Sequence, residues 1–154
     1  MIILALLIGV IAGLRALTPL AAISLAAKFG ILDFGGTWLA FMGYRWSPWL
    51  FCALAVAELV NDKLPTTPSR KVPAQFGTRI LTGTFAGLAI GTPTDMGVVC
   101  GLCGAIGAVV GTLAGASARA KLVQLIGGKD LPVALLEDCI AIGTAGWIVA
   151  SIAV

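Results

Sequence analysis

The stretch Glu58–Thr82, ELVNDKLPTTPSRKVPAQFGTRILT, decides how the chain is read: an apolar helix ends in acids, a proline-rich basic loop follows, and a second apolar helix opens on an arginine. The sequence on either side is almost continuously apolar. Of the 154 residues 59% are hydrophobic and 11% charged, with a mean hydropathy of +1.05. A soluble domain carries about a quarter charged residues, so the composition predicts an integral membrane protein. At about 20 residues per crossing the apolar sequence supports four to six helices and no separate aqueous domain. The expected fold is an all-α polytopic bundle of about five transmembrane helices, forming a single domain over residues 1–154.

Outward from Glu58–Thr82, the second helix runs over 48–63 and stops at Leu64-Pro65, because proline cannot continue a helix and disfavours helical geometry before it. Pro65, Pro68 and Pro73 hold the loop extended. Lys63, Arg70, Lys71 and Arg79 make it basic, hence cytoplasmic by the positive-inside rule. Helix three covers 75–90 and is closed by Gly91-Thr92-Pro93. Helix four covers 96–121 and returns to a second basic segment at Arg119, Lys121 and Lys129. Helix five covers 131–154. Before the stretch, residues 2–27 are apolar except for Arg15, Thr18 and Ser24, and form helix one, with a pair of half-helices around Gly13 to Pro19 as the rival drawing. Trp38, Tyr44, Trp46 and Trp49 place the following segment at an interface, and whether 37–46 crosses the bilayer stays open. Five crossings put the N-terminus in the cytoplasm, and seven of the ten Lys and Arg (63, 70, 71, 79, 119, 121, 129) with it.

Gly83, Gly87 and Gly91 on helix three and Gly107, Gly111 and Gly115 on helix four recur every four residues. This small-residue spacing lets helix backbones approach closely, and it predicts a glycine-zipper hairpin of helices three and four. Each stripe continues, four residues on, into an arginine, Arg79 or Arg119. Glu58 and Asp62 share one face of helix two beside Asn61, and Glu137 and Asp138 sit in the first turns of helix five. Four acids and two arginines therefore meet at one rim. Arg15, in the middle of a span, must pair or line a wet cavity, and the expected partner is Glu58 or Glu137. The pattern GxRxLT occurs twice, Gly13–Thr18 and Gly77–Thr82, adding Thr18 and Thr82 to the candidate ligand-binding set of Arg15, Glu58, Asn61, Asp62, Arg79, Arg119, Glu137 and Asp138.

The four cysteines all lie in apolar runs, where a thiol acts as a small hydrophobe. Cys100-x-x-Cys103 lacks the βαβ setting of a redox motif. No histidine is present, which removes the commonest general base and metal ligand. The chain is therefore not expected to be an enzyme, to bind a metal or a cofactor, or to contact nucleic acid.

The segments AGLRALTPLAAISLAA (12–27), AELVNDKLPTTPSR (57–70), RILTG (79–83) and LPVALLEDCIAIG (131–143) together resemble the bacterial membrane proteins grouped as domain of unknown function 4126. The resemblance spans nearly the whole chain and implies a protein of the bacterial inner membrane, with no activity to carry over. The leading expectation is a small transporter or channel-like protein, surrounded by membrane lipids and homo-oligomeric, with an Arg/Glu site for a small anionic ligand near the cytoplasmic side. The alternative is a non-transporting lipid-binding or structural membrane protein.

Overall fold

A computed structural model describes residues 1–63 and 72–152. Pro65, Pro68, Arg70 and Lys71 of the basic loop lie outside the described residues, as do 153–154. The described chain is helical throughout, without a strand: α1 (Ile2–Leu14), α2 (Thr18–Lys28), a 3₁₀ segment (Trp38–Gly43), α3 (Ser47–Asn61), α4 (Pro73–Gly91), a 3₁₀ turn (Thr92–Thr94), α5 (Gly97–Leu125) and α6 (Asp130–Ile152). Two of these, α5 and α6, are long and apolar enough to cross a membrane. Pro48 and Pro73 stand in the first turns of α3 and α4, where the missing N–H costs nothing. Between α5 and α6 the chain reverses through Gly127 and Gly128, whose φ of 75° and 82° only glycine adopts without strain.

Residues 2–27 form two helices, the rival drawing of half-helices around Gly13 to Pro19 and not the single helix. Arg15 is extended, at φ −139° and ψ 109°, because the Pro19 ring would strike its carbonyl in a continuous helix. The two pieces then run in opposite directions. At its end α1 meets the start of α4, where Arg79 reaches the carbonyls of Gly13 and Leu14. Further back along α1, Ala12 lies by Gly83, so α1 is antiparallel to α4. By contrast α2 starts at Glu58 of α3 and ends where Lys28 stacks on Trp49, 4.4 Å from the ring centroid. It is therefore antiparallel to α3, which makes it parallel to α4. Thus α1 and α2 form a helical hairpin with its tip at Arg15–Leu17, and the chain makes six passes between the charged rim and the opposite end. This replaces the five-pass drawing: residue 2 starts at the end away from the rim.

Backbone proximity holds α1, α4 and α5 together. A Cβ on Gly87 or Gly91 would strike α5 at Cys100, and one on Gly83 would strike Ala108. Gly107 and Gly111, expected to face the preceding helix, instead meet α1 at Leu6 and Val10. The α5 stripe thus packs the N-terminal hairpin, and Gly104, one turn earlier, is the α5 glycine that meets Gly83 and Gly87. The 3₁₀ segment seals the end away from the rim. Leu39 and Met42 are buried, Ser24 Oγ donates to the Met42 carbonyl, and Trp38 and Phe41 pack on Phe85.

Candidate functional site

A helix that stops inside a protein leaves N–H and C=O groups without partners, and the hairpin tip leaves both kinds in one place. Charged side chains satisfy them. The Glu58 carboxylate accepts from the backbone N–H of Ala16 at 2.7 Å and of Leu17 at 2.8 Å, at the start of α2. Arg79 Nη1 donates to the carbonyls of Gly13 and Leu14 at 2.9 and 2.6 Å, at the end of α1. Thr112 of α5 adds a 3.3 Å bond to Gly13. An anion thus sits at a helix start and a cation at a helix end, the arrangement that the helix dipole favours. Between them the Arg79 Nη2 to Glu58 Oε1 distance is 3.8 Å.

The side chain of Arg15 leaves the tip in another direction and is completely buried. It pairs with Asp62 at 2.6 Å and Asp138 at 2.7 Å, with Glu137 further off at 3.8 Å. The expected partner Glu58 is taken by the tip backbone, and Glu137 is the most distant of the three acids. Asp62 is shared: its Oδ2 also lies 2.7 Å from Arg119, which grips Asp130 in a fork at 2.8 and 2.7 Å. Lys63 closes the far side on Asp138 and the Leu59 carbonyl. Among the described residues four cations (Arg15, Lys63, Arg79, Arg119) thus face five carboxylates (Glu58, Asp62, Asp130, Glu137, Asp138). Arg79 and Arg119 each have carboxylates of their own, Glu58 for Arg79 and Asp62, Asp130 and Glu137 for Arg119. Asp62 lies just beyond the last turn of α3. Burial pushes its carboxyl up, but the Arg119 hydrogen bond and the Arg15 charge more than offset this and hold it below the ordinary 3.8.

On α5 and α6 the cluster is recessed from the helix ends. Arg119 comes six residues before α5 ends, and Glu137 seven after α6 begins, which is about 10 Å of helix in each case. A cavity of about 690 Å³ opens beside the tip, lined by Leu17, Glu58, Asn61, Asp62, Gln75 and Arg79. Of the ten residues expected here, eight come together. Thr18 turns into a separate cavity, and Thr82 bonds the Arg79 carbonyl and lines an apolar pocket with Phe41 and Phe85. Lys63, Asp130, Thr112 and Gln75 were not in that set. Asp130 had a readable signal, an acid at the start of a helix close after Arg119. The four backbone groups of the tip were readable only through the rival drawing of two half-helices, in which a break at Gly13 lets exposed backbone join the site.

A family model described as Domain of unknown function (DUF4126) matches residues 2–152. No curated protein and no solved structure matches the chain.

Proposed function

The chain belongs to the DUF4126 family, which is defined without an activity, and we propose from the geometry that it is a small transporter of the bacterial inner membrane that passes a small anion by the hairpin tip. Membrane placement is supported by the outer face. On α5, Val98, Leu102, Ile106 and Val110 form an exposed apolar stripe, more than a soluble monomer leaves uncovered. The basic loops support a cytoplasmic rim, and on that reading the hairpin favours an N-terminus outside, in place of the cytoplasmic N-terminus expected from a single crossing. A homo-oligomer would cover part of the stripe, because six short passes enclose little.

The carrying observation is that non-helical backbone, at the level of Thr112 inside α5, is capped by Glu58 and Arg79 next to a cavity. At membrane depth such backbone persists only where protein buries it or where it lines a cavity, and transporters use helix ends of this kind for charged substrates. Glu58 occupies the place of an anion. When its carboxyl takes a proton its hold on Ala16 and Leu17 weakens, and a small carboxylate entering from the cavity meets the same two N–H groups and Arg79. The anion then moves together with a proton.

The test is uptake of pyruvate, little of which crosses a bilayer unaided, into liposomes holding the purified protein. Proton-driven accumulation is expected for the wild type and is reduced at least tenfold in Arg79→Lys, which loses the Nη2 that faces Glu58 while Nη1 holds the two carbonyls. Wild-type uptake no faster than in protein-free liposomes, across a panel of small anions, refutes transport. One observation favours a structural or lipid-binding protein instead: Arg15, Arg79 and Arg119 already face carboxylates or carbonyls, so these cations are met without a ligand.

A further inference from the structure

Two cavities follow one another along a single gap. The first, of about 690 Å³, has Leu17 of α2, Leu54 and Glu58 of α3, and Arg79 of α4 in its wall. The second, of about 300 Å³, has Leu20 of α2, Phe51 of α3, and Leu81, Thr82 and Phe85 of α4. Both therefore lie between α3 and α4 with α2 as their floor. The steps from Leu17 to Leu20 and from Leu54 to Phe51 each lead about one helical turn away from the rim. The gap exists because α3 packs on α2 and on the 3₁₀ segment, and not along α4.

The cleft so formed is polar at one end and apolar at the other. Glu58 and Arg79 stand at the rim end, on the hairpin tip, with Asn61 and Gln75 beside them. Around Leu54 and beyond, the wall is apolar among the described residues except for Thr82, whose hydroxyl is bonded to the Arg79 carbonyl. At the far end Trp38 and Phe41 pack on Phe85. Glu58 to Phe51 is about 10 Å of α3, and Arg79 to Phe85 about 9 Å of α4. The cleft is open along its side, where Leu54 and Leu81 are 41% and 72% exposed.

This gradient selects the occupant. A small anion leaves the aromatic end empty, and an alkane has nothing to offer the charged end. The tip itself shows which head group fits: one carboxylate, that of Glu58, meets two backbone N–H groups, with Arg79 Nη2 at 3.8 Å. We infer that the cleft binds a medium-chain fatty-acid anion. Its carboxylate takes the place that Glu58 yields in the transport reading, and its unbranched chain lies over Leu17 and Leu20 toward Phe51 and Phe85. The inference rests on that reading for the head group and extends the small anion to one that carries an apolar chain. Octanoate, fully extended, matches the length of the cleft.

The probe is octanoate with a diazirine at its chain end, photolysed in nanodiscs that hold the full-length protein, and the labelled residues are read by peptide mass spectrometry. Saturable labelling is expected at Phe51, Leu81 and Phe85. Unlabelled octanoate should suppress it at about a tenfold lower concentration than octanol, the size of one hydrogen bond to a charged group. Leu54→Trp fills the middle of the cleft from an exposed position and should abolish the labelling at an unchanged melting temperature. Equal suppression by octanol in the wild type overturns the inference. So does labelling that fails to saturate, or that falls on the outer stripe of α5 as strongly as in the cleft. Pyruvate uptake is read separately. Uptake without labelling in the cleft refutes the fatty-acid site and leaves transport standing, whereas octanoate-selective labelling without uptake supports the site and refutes transport of the small anion.

Discussion

Arg15 is held by two carboxylates, in complete burial, and its removal takes the buried partner from both at once, leaving Asp62 to Arg119 and Asp138 to Lys63. Arg15→Met should therefore cost about 3–5 kcal/mol, the usual penalty for breaking a buried pair, read as a loss of thermal stability in detergent. Arg15→Lys is expected to recover only part of it, because one ammonium cannot reproduce a guanidinium that serves two acids. Asp62 also sets a pH dependence. Its native carboxyl titrates below the ordinary 3.8, so its contribution is complete above that value and is lost as pH falls through the lower native one. The melting temperature of the wild type should fall on acidification below about pH 4, and Asp62→Asn should show a shallower fall from a lower plateau. A charge in an apolar run announces itself, which is why Arg15, Glu58 and Asp62 were legible in the sequence. Their pairing was not, because it depends on which way α1 points.

At the scale of the helix, the crossing of α1 and α5 is set by glycine. A Cβ on Gly111 would collide with the Val10 backbone, which cannot yield as a side-chain tip can. Gly111→Ala should cost about 1–3 kcal/mol as overpacking. Gly143, in α6, has nothing within 4 Å of the added carbon, and Gly143→Ala should instead stabilise by about 0.5–1 kcal/mol. Comparing the two in one unfolding series separates close packing from helix propensity. The four-residue spacing was plain in the sequence. A stripe records that something comes close and not which helix, and so Gly107 and Gly111 were matched to the preceding helix when their neighbour is α1.

Over the whole molecule, the hairpin turns one expected pass into two short opposed ones. The 13 residues of α1 and 11 of α2 add up to the length of one spanning helix, so hydropathy alone could not distinguish them. The only local sign was Pro19 following a glycine and an arginine. On the membrane placement proposed above, the reversal makes a prediction about topology. In a background without the native cysteines, Ile3→Cys and Asp95→Cys should react with an impermeant maleimide from one side of the membrane, and Lys129→Cys from the other. A residue-3 thiol that reacts on the side of residue 129 would restore the single crossing. The same reversal creates the capped tip on which the transport reading depends, and Glu58 is the group through which that reading stands or falls. The deciding measurement is proton-driven pyruvate uptake by liposomes holding Glu58→Gln beside the wild type. An amide cannot release and regain a proton, so the variant should equilibrate pyruvate but no longer concentrate it when a proton gradient is imposed. Accumulation by Glu58→Gln equal to that of the wild type would contradict the role given to Glu58, and would leave its bonds to Ala16 and Leu17 as a structural cap.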